Sequence, residues 1–163
     1  MKGGSLRVPL AAAFLVLILD QFSKWWVVSS FKLHESVALI PGFCNLTYIT
    51  NTGAAFGMLA GEQSPGRQLF FGAVALVALV VLYFAYREYR GRGSLYLVAI
   101  GMVGGGALGN LVDRLRLGHV IDFLDVYYRQ YHWPAFNVAD SAITVGVALF
   151  ILAGLKDRPG SRN

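Results

Sequence analysis

The sequence predicts an all-α polytopic membrane protein with four transmembrane helices. Two observations carry this. Of 163 residues, 56% are hydrophobic and only 14% are charged, whereas a soluble domain carries roughly 25% charged residues. The apolar residues also fall into long runs, and about 20 in succession are what a helix needs to cross the hydrocarbon core. The same composition excludes a disordered chain, which would be polar and charge-rich. The 19 glycines have no three-residue period, which excludes a collagen-like chain. The lone cysteine, Cys44, rules out an internal disulfide and a cysteine-built zinc site. The length fits a single membrane domain over 1–163.

The first span is expected at 8–29. It carries Asp20 and Lys24, but Trp25, Trp26, Val27 and Val28 continue its apolar character, and two Trp suit an interface belt. Its basic start and apolar stretch resemble a signal peptide with Ser29-Ser30 as a cleavage region; Asp20, Lys24 and the two Trp oppose cleavage. The second and third spans, 69–86 and 94–112, contain no charged residue. The fourth, 135–155, carries Asn137 and Asp140. The external segments are then 31–67 and 113–134. Within the first, Phe43-Cys44-Asn45-Leu46-Thr47-Tyr48-Ile49 alternates in part and is rich in aromatic and β-branched types, which predicts a strand or hairpin at the membrane surface. Asn51-Thr52-Gly53 breaks it with a turn signal. In the second, His119-Val120-Ile121-Asp122-Phe123-Leu124 predicts a short strand.

Orientation follows from the basic residues. Lys2, Arg7, Arg87, Arg90, Arg92, Lys156, Arg158 and Arg162 lie in the termini and the turn between spans two and three, with only Glu88 and Asp157 as acids there. The positive-inside rule places both termini and that turn in the cytoplasm. The sequence pI near 9.6 therefore reports topology, and no nucleic-acid partner is expected.

Charged groups in or at the edge of spans are expensive and point to function. Here they gather at one depth, the outer interface. Asp20 and Lys24 lie in the outer part of span one. Asn110, Asp113 and Arg114 end span three, Asn137 and Asp140 begin span four, and Asp122 lies between those two spans. Each also has a plainer reading. Asp20 and Lys24 have helix-pair spacing, and Asp113-Arg114 reads as a local ion pair at a helix end. Asn137 with Asp140 three residues on reads as a helix cap. Asp122, in an apolar run, has the weakest such alternative. His34, His119 and His132 lack metal-ligand spacing, and His119-x-x-Asp122-x-x-Asp125 is a poor metal pattern; no metal or cofactor is expected. Gly101, Gly105 and Gly109 form a small-residue stripe that admits a close helix neighbour. Cys44 reads as a small apolar surface residue.

Two carboxylates close together at a low-dielectric surface share a proton. One then acts as general base on water while the other hydrogen-bonds the scissile carbonyl, which hydrolyses an amide without a covalent intermediate. Position favours Asp122 with Asp140, with Asp20 and Asp113 left open as partners. An ion- or proton-coupled transporter and a non-enzymatic scaffold are the competing readings. The transporter requires acidic groups through the depth of the bilayer, and the inner halves of the spans hold almost none.

Five motifs in order resemble the lipoprotein signal peptidases (signal peptidase II), the bacterial aspartyl peptidase family. They are Asp20-Gln21-x-x-Lys24, Asn51-Thr52-Gly53-Ala54-Ala55-Phe56-Gly57, Gly109-Asn110-x-x-Asp113-Arg114, Val120-Ile121-Asp122-Phe123, and Phe136-Asn137-x-Ala139-Asp140-Ser141. The resemblance covers nearly the whole chain. It implies four helices with a small extracytoplasmic β-cradle and a short amphipathic helix drawn from 31–67. It implies a multi-pass protein of the bacterial inner membrane, active at the outer face, with Asp122 and Asp140 as catalytic pair. Asp20, Lys24, Asn51, Gly53, Asn110, Asp113, Arg114 and Asn137 are then site-supporting or substrate-binding. The implied substrate is a diacylglyceryl-modified prolipoprotein, cut just before its lipidated cysteine. Membrane lipid and the cyclic peptide antibiotic globomycin are the other implied partners.

Overall fold

The computed structural model describes residues 5–53, 61 and 64–157. Its helices are α1 (Arg7–Ser30), α2 (Pro65–Tyr89), α3 (Ser94–Leu117) and α4 (Val138–Lys156), and all four are long and apolar enough to cross a membrane. Between them lie β1 (Ser36–Ile40), β2 (Cys44–Asn51), β3 (Val120–Tyr128) and β4 (Tyr131–His132), a four-stranded antiparallel sheet in the order β1-β2-β3-β4. The amphipathic helix implied for 31–67 is absent among the described residues of that segment; 54–60, 62 and 63 lie outside them.

Local chemistry sets the helix ends. Ser64 caps α2, and Pro65 takes the first position, where its missing N–H costs nothing. Gly118, at φ 78°, ends α3 in the left-handed conformation glycine adopts freely. Helix α4 begins at Val138, after the apolar run has started, because Phe136 is held in extended form against β3. Its carbonyl accepts from the backbone N–H of Phe123 and Leu124, and its own N–H donates to the Leu124 carbonyl.

Helix α3 is the hub. Eleven of its residues are buried, against Phe71 alone in α2. In lipid, apolar burial does not drive helices together; close van der Waals packing does. The glycine stripe supplies it. A Cβ at Gly105 would lie 2.6 Å from the Ala13 carbonyl oxygen, and one at Gly101 would meet Pro9 and Ala12. Helix α1 therefore runs parallel to α3, backbone against backbone. Gly106 faces Ala139 and Ile143, and Gly146 faces Ala99 and Val103, so α4 runs antiparallel on the other side. Helix α2 packs through Leu82 on Gly104 and Phe71 on Arg114. Large side chains such as Phe14, Trp25, Leu69 and Phe84 point outward and are exposed, as in a protein solvated by lipid.

Strand β3 runs to Tyr128, four residues beyond the expected Leu124. Asp125, which interrupts the apolar pattern there, is matched by Asn45 at 3.0 Å and His132 at 2.7 Å. Cys44 is buried where a surface position was expected, because it pairs with Val126 in the ladder between β2 and β3.

Candidate active site

The sheet and helix ends bring Asp122 and Asp140 to one cavity of about 760 Å³. Asp122 is on β3, opposite Ile49 of β2, and is buried. Its Oδ1 accepts from Asn137 Nδ2 at 2.7 Å and its Oδ2 from Asn51 Nδ2 at 3.0 Å. Asp140 is half-buried in the first turn of α4. Its Oδ1 accepts from Asn110 Nδ2 at 2.8 Å and its Oδ2 from the Asn137 backbone N–H at 3.3 Å. Each carboxylate is thus held by neutral amide donors.

Asn137 joins the two. Its side chain caps α4 by accepting from the Asp140 N–H at 3.0 Å, completing a reciprocal capping box. The same side chain donates to Asp122. The helix-cap reading of Asn137 and Asp140 is correct, and it is part of the site's architecture. Asn51 is oriented the same way: its Oδ1 accepts from the Gly53 N–H at 2.9 Å, which turns Nδ2 to Asp122.

Burial, and next the Asp140 charge, push the Asp122 carboxyl up to about 7, while the bonds from Asn51 and Asn137 pull the other way.

Behind the cavity lies a buried ionic group. Lys24 Nζ is 2.8 Å from Asp20 Oδ2, 2.8 Å from Asp113 Oδ2 and 2.9 Å from Asn110 Oδ1. Asp20 Oδ1 accepts from the Ala139 N–H at 2.9 Å, so an α1 carboxylate caps a second N–H of α4. Gly109 admits this, since a Cβ there would lie 2.5 Å from Asp20 Oδ2. Gln21, which sequence spacing does not mark as a site residue, donates its amide to Asp113 at 2.9 Å and to the Gly109 carbonyl at 3.2 Å. Asp20 and Asp113, left open as partners by sequence spacing, both face Lys24, and neither lines the cavity.

The expected local pair Asp113–Arg114 is replaced by a different arrangement. Consecutive helix residues point apart. Asp113 turns to α1, while Arg114 donates to the Gly53 carbonyl at 2.9 Å and lies over the Phe71 ring at 4.8 Å. Arg114 thereby ties α2, α3 and the turn after β2 into one wall of the cavity.

The rest of the cavity is apolar. Phe71, Val74 and Ala78 of α2 line one side and Ile143 and Val145 of α4 the other, with Ala107 of α3 between. Trp133 to Phe136 also contribute, a part that spacing did not single out.

Comparison with known proteins shows the family and the same overall architecture. Residues 12–156 match the family model described as Signal peptidase (SPase) II. The lipoprotein signal peptidase of Syntrophus aciditrophicus is 52% identical over 143 residues, 88% of this chain and 89% of its own. That of Syntrophotalea carbinolica is 49% identical over 157 residues, 96% of each chain. A solved bacterial membrane enzyme superposes with a TM-score of 0.86 at 36% identity, covering 99% of this chain and 96% of its own. With its four spans and this polar cavity, the chain belongs to the signal peptidase II family of bacterial membrane proteases.

Proposed function

We propose that Asp122 and Asp140 are the catalytic pair with which this membrane peptidase removes signal peptides from prolipoproteins. The supporting observation is that both carboxylates line one cavity and are held by one residue, Asn137, whose side-chain amide donates to Asp122 and whose backbone N–H donates to Asp140. Burial and the neighbouring Asp140 charge push the Asp122 carboxyl up to about 7, so the site can hold one proton near neutral pH. The ionised member takes a proton from a water, and the water oxygen attacks the scissile carbonyl carbon. The protonated member hydrogen-bonds the carbonyl oxygen as charge develops on it. Collapse of the tetrahedral intermediate breaks the C–N bond, and the proton taken from water passes to the leaving amine. No ion-coupled transport is supported; the buried ions of Asp20, Lys24 and Asp113 satisfy one another.

The shape of the cavity supports a lipid-modified substrate, cut before a diacylglyceryl-bearing cysteine. Helices α2 and α4 meet through Tyr89 and Phe150, ring centroids 4.9 Å apart, at one end of the molecule. Toward the sheet the cavity separates them, apolar along the helices and polar at the aspartates. Acyl chains stay among the lipids at the apolar part while the peptide bond reaches the polar end. The basic residues beside the α2–α3 turn and the helix termini opposite the sheet support a cytoplasmic placement of that end and an outward-facing site. Asp20, Lys24, Asn51, Gly53, Asn110, Asp113, Arg114 and Asn137 hold the site. A cyclic peptide such as globomycin would compete for the same cavity, and membrane lipid would surround its apolar side.

The test uses purified protein with a diacylglyceryl-modified prolipoprotein, following the size shift on a gel. Wild type cleaves, and folded Asp122→Asn and Asp140→Asn do not. Normal cleavage by both variants overturns the assignment.

A further inference from the structure

We infer that Lys24 is a positioning residue that sets which end of the Asn110 amide meets Asp140, and so holds Asp140 in its working orientation. The inference rests on the reading of Asp140 as a catalytic carboxylate.

An amide side chain has an acceptor end and a donor end of nearly equal shape, and its neighbours decide which way it points. At Asn110 two donors converge on one end: Lys24 Nζ at 2.9 Å and Asn137 Nδ2 at 3.3 Å. Both require an oxygen. The nitrogen is then forced toward Asp140 Oδ1, at 2.8 Å. With the amide reversed, its N–H would face the ammonium and its oxygen would face a carboxylate. Lys24 is well suited to impose the choice. An ammonium has three N–H donors and no acceptor, and here three acceptors face it, Asp20, Asp113 and Asn110. It is buried, and its contacts with Asp20 and Asp113 fix its position. The groups that face this centre are Asp20 and Gln21 from α1, Asn110, Asp113 and Arg114 from α3, Asp122 from β3, and Asp140 from α4. Lys24 thus acts on the reaction without lining the cavity.

The test is kinetic, with Lys24→Met, Asn110→Asp and Asp140→Asn side by side in detergent. Folding is checked by a monodisperse elution profile and a melting curve. Lys24→Met lowers kcat on the order of 100-fold, the cost of a misplaced reacting group, and changes KM less than about threefold. It also moves the limb set by Asp122 in the kcat–pH profile upward, because the Lys24 charge that favours the ionised form of that carboxyl is gone. Asn110→Asp keeps the Lys24 contacts but presents an oxygen to Asp140; kcat falls similarly near neutral pH and recovers as pH is lowered and a proton bridges the two carboxyls. Folded Lys24→Met with wild-type kcat and pH limbs overturns the inference. Should Lys24→Met not fold, Asn110→Asp decides: wild-type kcat and an unmoved pH profile there overturn it equally. Asp140→Asn separates the two levels. If it cleaves normally, the catalytic reading itself fails; if it is inactive while the other two behave as wild type, only the role of Lys24 fails.

Discussion

Asn137 and Asp140 cap each other across the first turn of α4. The Asn137 Oδ1 accepts from the Asp140 N–H at 3.0 Å, and Asp140 Oδ2 accepts from the Asn137 N–H at 3.3 Å. A motif that ordinarily starts a helix here also orients a carboxylate at a cavity. Because Asp20 takes the next N–H, that of Ala139, this helix end has two of its free donors satisfied within the protein.

The two duties of Asn137 are separable. Serine caps helices about as well as asparagine, but it does not reach Asp122. Asn137→Ser keeps the cap but leaves the buried acceptors on Asp122, Ile121 and Asn110 without this donor, so it is expected to cost about 1–3 kcal/mol while kcat falls on the order of 100-fold. Asn137→Ala is expected to lose a further 1 kcal/mol or about that. Thermal denaturation in detergent beside a cleavage assay checks both.

Two glycines of α3 are expected to respond oppositely to alanine. At Gly109 the new Cβ meets the Asp20 carboxylate at 2.5 Å, so the cap on α4 is displaced. Gly109→Ala should cost about 1–3 kcal/mol and most of the activity. At Gly104 the nearest atom is Leu82 Cδ1 at 3.7 Å, an ordinary contact. Gly104→Ala should be neutral or stabilise by up to about 1 kcal/mol through helix propensity. Melting temperatures of the pair are the measurement.

The raised Asp122 carboxyl makes stability depend on pH. Its folded pKa, about 7, lies above the unfolded value near 3.8. Between those values the folded state holds a proton that the unfolded state has released, so stability falls as pH rises through this window. Below it there is no penalty; above pH 7 it reaches about 4 kcal/mol. Asp122→Asn should remove this slope. Melting curves from pH 4 to 8.5 should show wild type losing stability relative to the variant, and parallel curves would refute the account.

The apolar wall can be tested at Ala78 of α2. Ala78→Phe places a ring in the cavity away from the aspartates. KM for the lipidated substrate is expected to rise about tenfold or more, with a smaller change in kcat. An unchanged KM would mean that the substrate does not occupy this part of the cavity.

Much of this was legible in the sequence, for a physical reason. Ionisable and amide residues in apolar runs are so costly that their positions alone mark a site. Asp20, Asn110, Asp113, Asp122, Asn137 and Asp140 stood out in this way. Their pairing did not. Asp113 is adjacent in sequence to Arg114 but bonds Lys24 of another helix, and which helix lies alongside depends on the glycine seam, whose partner the spacing does not name. The extent of β3 was hidden because Asp125 breaks the apolar pattern; its partners, Asn45 and His132, come from other strands. The wall at Phe71 was invisible because one phenylalanine in an apolar helix looks like the next.

Helix α2 contributes one fully buried residue to the fold and presents much of its length outward. On the proposed reading, a wall so placed, facing α4 across an apolar gap, puts the entrance in the plane of the bilayer. Encounter then becomes a two-dimensional search. The turnover of such an enzyme scales with how many substrates there are per lipid, so diluting the membrane with inert lipid slows it, while diluting the surrounding water does not.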